Sequence, residues 1–133
     1  MRFRPPSLSI AILPLALSAH AADLSCAGLV PQGASLVCAG FEPNWAIELK
    51  CDGELTSNFT DAFSGNITVT PGEASVISRN PWKIETSHPV TGAIAYTPAG
   101  CMDESDRVYD FTFTPTGAPG LSASFYPFCC RLE

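Results

Sequence analysis

Beyond the first two dozen residues, apolar positions alternate with polar ones instead of recurring at the spacing of a helix. In Asn44 to Lys50 (NWAIELK), Trp45, Ile47 and Leu49 fall on one face and Ala46, Glu48 and Lys50 on the other. Arg107 to Thr114 (RVYDFTFT) repeats the pattern, with Tyr109, Phe111 and Phe113 set against Val108, Asp110 and Thr112. A period of two marks a strand with one buried face. Fainter versions in Asn66 to Thr70, Ser75 to Arg79 and Leu121 to Tyr126 predict further strands.

Turn formers punctuate these runs: Pro31-Gln32-Gly33, Asp52-Gly53, Ser64-Gly65-Asn66, Pro71-Gly72, Asn80-Pro81, Thr91-Gly92, Pro98-Ala99-Gly100 and Pro115 to Gly120. Asp52-Gly53 is the strongest hairpin signal among them. Twelve prolines and ten glycines argue against any long helix. The pattern predicts an all-β fold, a small antiparallel barrel or sandwich of about seven to nine short strands, which hides its edges by closing or stacking.

The opening MRFRPPSLSIAILPLALSAHA places Arg2 and Arg4 before an apolar stretch from Leu8 to Leu17 and ends on the small-x-small site Ala19-His20-Ala21. This predicts a secretory signal peptide over residues 1–21 and a single β domain over residues 22–133. The apolar stretch is shorter than the roughly 20 residues of a membrane-spanning helix and contains Pro14, so no membrane span is expected in the mature form. The expected destination is the periplasm or the secreted fraction.

All six cysteines, Cys26, Cys38, Cys51, Cys101, Cys129 and Cys130, lie in the mature part. An even number in an exported chain predicts a disulfide framework whose connectivity spacing alone does not choose. Adjacent Cys129 and Cys130 are expected to bond to two different partners. There is no C-x-x-C, and His88 is the one histidine left after the leader, so neither a metal centre nor a cofactor is expected. Asp23 stands where a lipid-attachment signal before Cys26 would carry an apolar residue.

Without Arg2 and Arg4 the chain has 5 basic and 13 acidic residues, a net charge of −8. Nucleic acid is disfavoured as a partner, because binding it needs basic residues to neutralise phosphates. A cationic protein would be drawn in by long-range attraction. The plainer reading is that the acid excess keeps an exported protein soluble.

Two segments stand out as candidate binding surface. The first, Cys38-Ala39-Gly40-Phe41-Glu42-Pro43-Asn44-Trp45, sets a carboxylate beside the larger aromatic. The second, Gly100-Cys101-Met102-Asp103-Glu104-Ser105-Asp106-Arg107-Val108-Tyr109, packs three acids and an arginine between a cysteine and the strongest strand. Like charges so close repel unless a turn, a cation or an arginine compensates. Ser105 and Asp106 are expected to bond backbone amides and fix the turn, leaving Arg107 to reach a carboxylate.

Together, Cys-x-Gly-x-Glu-Pro-x-Trp (Cys38, Gly40, Glu42, Pro43, Trp45) and the downstream Cys101, Asp103, Ser105, Asp106, Arg107 and Tyr109 resemble an uncharacterised family of small exported bacterial proteins, described as membrane or lipoprotein-like. Asn44 stands where that family shows Phe, and Glu104 alone where it shows Gly-Met between the Asp and the Ser. The resemblance implies an exported β domain with a shared site formed by Glu42, Pro43, Trp45, Asp103, Ser105, Asp106, Arg107 and Tyr109, with no established activity. In that arrangement Glu42 and Arg107 would meet as a bidentate pair beneath Trp45, with Cys38 and Cys101 near enough to bridge. The alternative is that the same residues make a fold-defining corner, with Trp45 in the core.

Catalysis is not expected. Glu42 and Asp106 would serve as a glycosidase pair only if held roughly 5 to 9 Å apart. His88 lies among turn formers with no nucleophile motif in reach. Asp103, Glu104 and Asp106 offer oxygens to calcium but lack the spacing of a calcium loop. The expected role is a non-catalytic binding or structural module. A sharper version is an inhibitor of a cationic lysozyme, since such inhibitors are small exported β-barrels, and Thr91-Gly92-Ala93-Ile94-Ala95-Tyr96 faintly resembles their Ser-Gly-x-x-Tyr loop.

Overall fold

The computed structural model describes residues 2–12, 24–40, 45–62, 65–117 and 128–133. Residues 2–12 are exposed and carry no regular structure. No helix among the described residues is long and apolar enough to cross a membrane. Among the described residues eight strands follow one another: β1 (Leu36–Gly40), β2 (Trp45–Asp52), β3 (Glu54–Asp61), β4 (Thr68–Arg79), β5 (Trp82–His88), β6 (Thr91–Met102), β7 (Val108–Gly117) and β8 (Phe128–Leu132). Each pairs antiparallel with the next, and β8 returns to β1, giving a closed barrel. Closure gives every strand a neighbour on both sides, so the sheet has no edge strand.

The alternation sends every second side chain inward. Trp45, Ile47 and Leu49 of β2 meet Leu36 and Cys38 of β1, Ile84 of β5, Ile94 of β6, Phe111 and Phe113 of β7 and Cys130 of β8 in one cluster. Leu36, Leu49, Ile84, Ile94 and Phe113 have no accessible surface, so side chains fill the lumen, as in other barrels of this strand number.

Because the strands run alternately up and down, the chain reverses at two mouths. At one mouth, here the upper, β1 and β3 end, β2 and β4 begin, and the chain turns from His88 to Thr91; the lower carries the turns Asp52 to Glu54, Arg79 to Trp82 and Met102 to Val108. The segment before β1 crosses the lower mouth and buries Cys26, Leu29 and Val30 against the core. Ser35 and Glu133 close that side by exchanging backbone hydrogen bonds of 2.8 and 2.9 Å.

Three disulfides fasten this frame: Cys26–Cys51, Cys38–Cys130 and Cys101–Cys129. Neighbouring residues of a strand point to opposite faces. Cys130 therefore bonds Cys38 inside the barrel while Cys129 bonds Cys101, and the two adjacent cysteines do have separate partners. The Cys26 sulfur is committed to Cys51. Three such bonds belong to an oxidising, extracytoplasmic environment.

Several expected turns lie inside strands. Asn66 to Thr70 and Ser75 to Arg79 are not two strands, because β4 runs through Pro71-Gly72 and changes partner there, from β3 to β5. A Cβ on Gly72 would stand 2.7 Å from the His88 carbonyl, so this glycine serves a close approach of backbones and not a reversal. Thr91-Gly92 opens β6, and Pro98-Ala99-Gly100 forms an irregularity in it, with Ala99 at φ 53°. Asp52-Gly53 is the hairpin expected, pairing Asp52 with Glu54 around Gly53 at φ 75°. Leu121 to Tyr126 lies outside the described residues.

Candidate functional site

Asp103 organises the lower-mouth turn between β6 and β7. Its carbonyl accepts the Asp106 N–H at 3.1 Å and its own N–H donates to the Arg107 carbonyl at 2.9 Å. Asp106 takes the left-handed conformation, φ 60°, which completes a three-residue hairpin loop of turn plus bulge. The carboxylate locks this shape. One oxygen accepts the Ser105 and Arg107 N–H groups at 2.8 and 3.0 Å, and the other accepts the Tyr109 hydroxyl at 3.0 Å.

Desolvation pushes the Asp103 carboxyl upward, but the backbone N–H groups of Arg107 and Ser105, the Tyr109 hydroxyl and the Arg107 charge outweigh it and hold the group below its ordinary value. Asp103, not Ser105 or Asp106, supplies the side chain that fixes the turn. Both its oxygens are occupied by protein donors, and no group of three or more metal-ligating side chains is assembled among the described residues.

Trp45 sits at the other mouth. Its ring lies 4.7 Å from Phe128 and 5.8 Å from Phe113, both edge to face, and is stacked 6.4 Å from Phe59. It is 3% exposed and belongs to the core. Gly40, directly opposite, lies under the indole, where a Cβ would stand 2.6 Å from Nε1. The glycine and the tryptophan of the first motif are therefore bound together by packing. The indole Nε1 finds no hydrogen-bond partner among the described residues.

The described residues of the two motifs do not form one rim. Cys38 shares a row with Cys130 and Phe111, which is four residues up β7 from Arg107, and Gly40 lies two residues further up. That separates the ends of the two motifs by roughly 20 Å along the strands. Glu42 and Pro43 lie outside the described residues, whereas Asp103, Ser105, Asp106, Arg107 and Tyr109 cluster at the lower mouth. Cys38 and Cys101 do not bridge either, because one faces Cys130 and the other Cys129. Thr91 to Tyr96 is no loop: these residues lie in β6, with Gly92 and Ile94 turned inward and buried.

One feature of the lower mouth has no counterpart among the motifs. Arg79 and Trp82 face each other across the two-residue turn Asn80-Pro81. The guanidinium carbon lies 5.1 Å from the indole centroid, and Nη2 donates to the Ala27 carbonyl of the crossing segment. Together with Asn80 and Gly28 they line an open cleft of about 510 Å³. The sequence Arg79-Asn80-Pro81-Trp82 marks the turn, but only pairing across it sets the two side chains face to face.

A search of family models, of curated proteins and of solved structures finds no match to this chain.

Proposed function

We propose that the mature chain, released from its leader after Ala21, is a non-catalytic binding or structural module of the periplasm or the secreted fraction, and that it meets partners with its outer surface and mouths. The observation that carries this reading is the filled lumen: Leu36, Leu49, Ile84, Ile94 and Phe113 occupy the space in which some barrels of the same strand number hold a small ligand. The three disulfides support an existence outside the cytoplasm. The resemblance to small exported bacterial proteins is consistent with this reading and adds no activity to it.

A cationic protein is the partner class favoured by the charge of −8. Attraction of that kind raises the rate of encounter and weakens with salt. Within the class, inhibition of a cationic lysozyme now rests on charge alone, since Thr91 to Tyr96 is strand and not an inserting loop. The test is residual lysozyme activity with residues 22–133 added over a range of ionic strength. An inhibitor gives loss of activity at low salt that fades as salt rises. Full activity at low salt removes lysozyme as the partner and leaves the structural role.

A further inference from the structure

We infer that the upper end of β4 is a docking edge for an extended cationic segment, which adds to the barrel there as a further strand. The inference deepens the reading above and rests on its cationic partner. Every strand has two neighbours, but β4 does not meet both along its whole length. From Thr68 to Gly72 it pairs with β3, and its pairing with β5 starts only at Glu73. Among the described residues no strand pairs with the β5 side of β4 above that point. A proline leaves a ladder complete where its nitrogen points away from the neighbouring strand. Pro71 stands opposite Asn58 of β3, so its carbonyl, and both backbone groups of Val69 two residues before, turn to the open side. Glu73, next in that series, is the residue at which β5 takes up the same side through His88.

Natural sheets guard such stretches with charge. Here the sequence holds no charged residue between Asp61 and Glu73, and Ile67-Thr68-Val69-Thr70 are four β-branched residues in a row. Ile67 is 75% exposed and Val69 58%, and Val69 and Pro71 stand on the outer face, since Gly72 faces inward onto Ser57. An added strand with apolar residues at alternate positions would cover them. Glu73 follows in the same outer row and is exposed, its carboxylate accepting the Ser87 hydroxyl at 3.3 Å. A carboxylate has acceptor sites left for a lysine as well. Antiparallel addition is the more stable pairing, and β4 runs from Thr68 toward Glu73, so the basic residue belongs at the N-terminal end of the incoming segment. The net charge of −8 over residues 22–133 attracts a cationic segment and repels a second copy offering the same edge.

The experiment titrates ¹⁵N-labelled residues 22–133 with an end-capped octapeptide in which two lysines precede alternating valine and threonine. Three further peptides move the lysines to the C-terminal end, replace them by glutamate, or place a proline at the centre. The lysine peptide is expected to shift the amides of Ile67 to Thr70 saturably and to slow hydrogen exchange at the Val69 N–H. The proline peptide should be inert, because it interrupts the ladder. Reversing the lysines should weaken binding about threefold, as should Glu73→Gln, since each removes one exposed ion pair. Val69→Lys, a change at an exposed position, should weaken it about tenfold, with an unmoved Phe113 amide confirming an intact fold. No saturation by the lysine peptide, equal binding of the proline peptide, or undiminished binding by Val69→Lys would each overturn the inference. Shifts at these amides that grow with protein concentration alone would overturn it in favour of self-pairing. Saturable binding of the lysine peptide that leaves Ile67 to Thr70 unmoved would overturn the edge and keep the cationic partner. Equal binding of the glutamate peptide at the edge would remove the cationic partner and the inference with it.

Discussion

Asp103 commits both carboxylate oxygens to its own turn, and the consequence is a dependence on acid. Its folded value lies below the ordinary 3.8, so the unfolded chain takes up the proton first as pH falls. The contribution to stability is complete above 3.8 and is lost as pH drops through the lower folded value. In an NMR titration the Ser105 and Arg107 amides should move with an inflection below 3.8. Asp103→Asn should abolish that inflection and speed hydrogen exchange at the same two amides, because a neutral amide is a weaker acceptor for three donors. Gly92 is constrained by space: a Cβ would stand 2.5 Å from the Phe113 ring and 2.7 Å from the Thr114 carbonyl. Since Phe113 is fully buried, Gly92→Ala should cost about 1 to 3 kcal/mol in urea unfolding.

Among the elements, β8 is with β1 one of the two shortest strands, with five residues joining β7 to β1, and two disulfides hold it. The Cys38–Cys130 bond spans a sequence separation of 92 and the Cys101–Cys129 bond one of 28. In the chain-entropy account these contribute about 4.6 and about 3.6 kcal/mol. Removing the first pair as alanines should therefore lower unfolding free energy by about 1 kcal/mol more than removing the second, as read from denaturant midpoints. The strands legible beforehand were those with clean alternation, β2 and β7, whose inner and outer faces differ sharply. Those misread contain Pro71-Gly72, Thr91-Gly92 or Pro98-Ala99-Gly100, where the missing Cβ serves a close contact that local sequence does not display. This bears on the candidate site as well. In an up-and-down barrel the even strands start at one mouth and the odd strands at the other, so whether Trp45 and Arg107 meet depends on the strand count. The lower-mouth turn was legible as a turn, though the residue fixing it is Asp103, and the Arg79–Trp82 cleft was hidden because it exists only across a pairing.

For the whole molecule, surplus negative charge and long-range closure are the two governing properties. In residues 22–133, self-repulsion at −8 opposes compactness, and salt shortens its reach from about 30 Å at 0.01 M to about 8 Å at 0.15 M. The melting temperature of residues 22–133 should therefore rise between those two salt concentrations at neutral pH, as read by calorimetry; a fall would show that attractive pairs dominate the surface. Pairing β1 with β8 requires contacts between distant parts of the chain, so refolding of the oxidised form belongs in the slow range typical of barrels, milliseconds to seconds.

The vicinal pair Cys129-Cys130 also fixes the order in which oxidation can succeed. As the polypeptide emerges, Cys51 can find Cys26 early, while Cys38 and Cys101 must wait as thiols until Cys129 and Cys130 arrive. A nonsense mutation just ahead of Cys129 would strand those two thiols with only each other left to oxidise, tying the inner wall of β1 to the foot of β6 in a link the native barrel never makes.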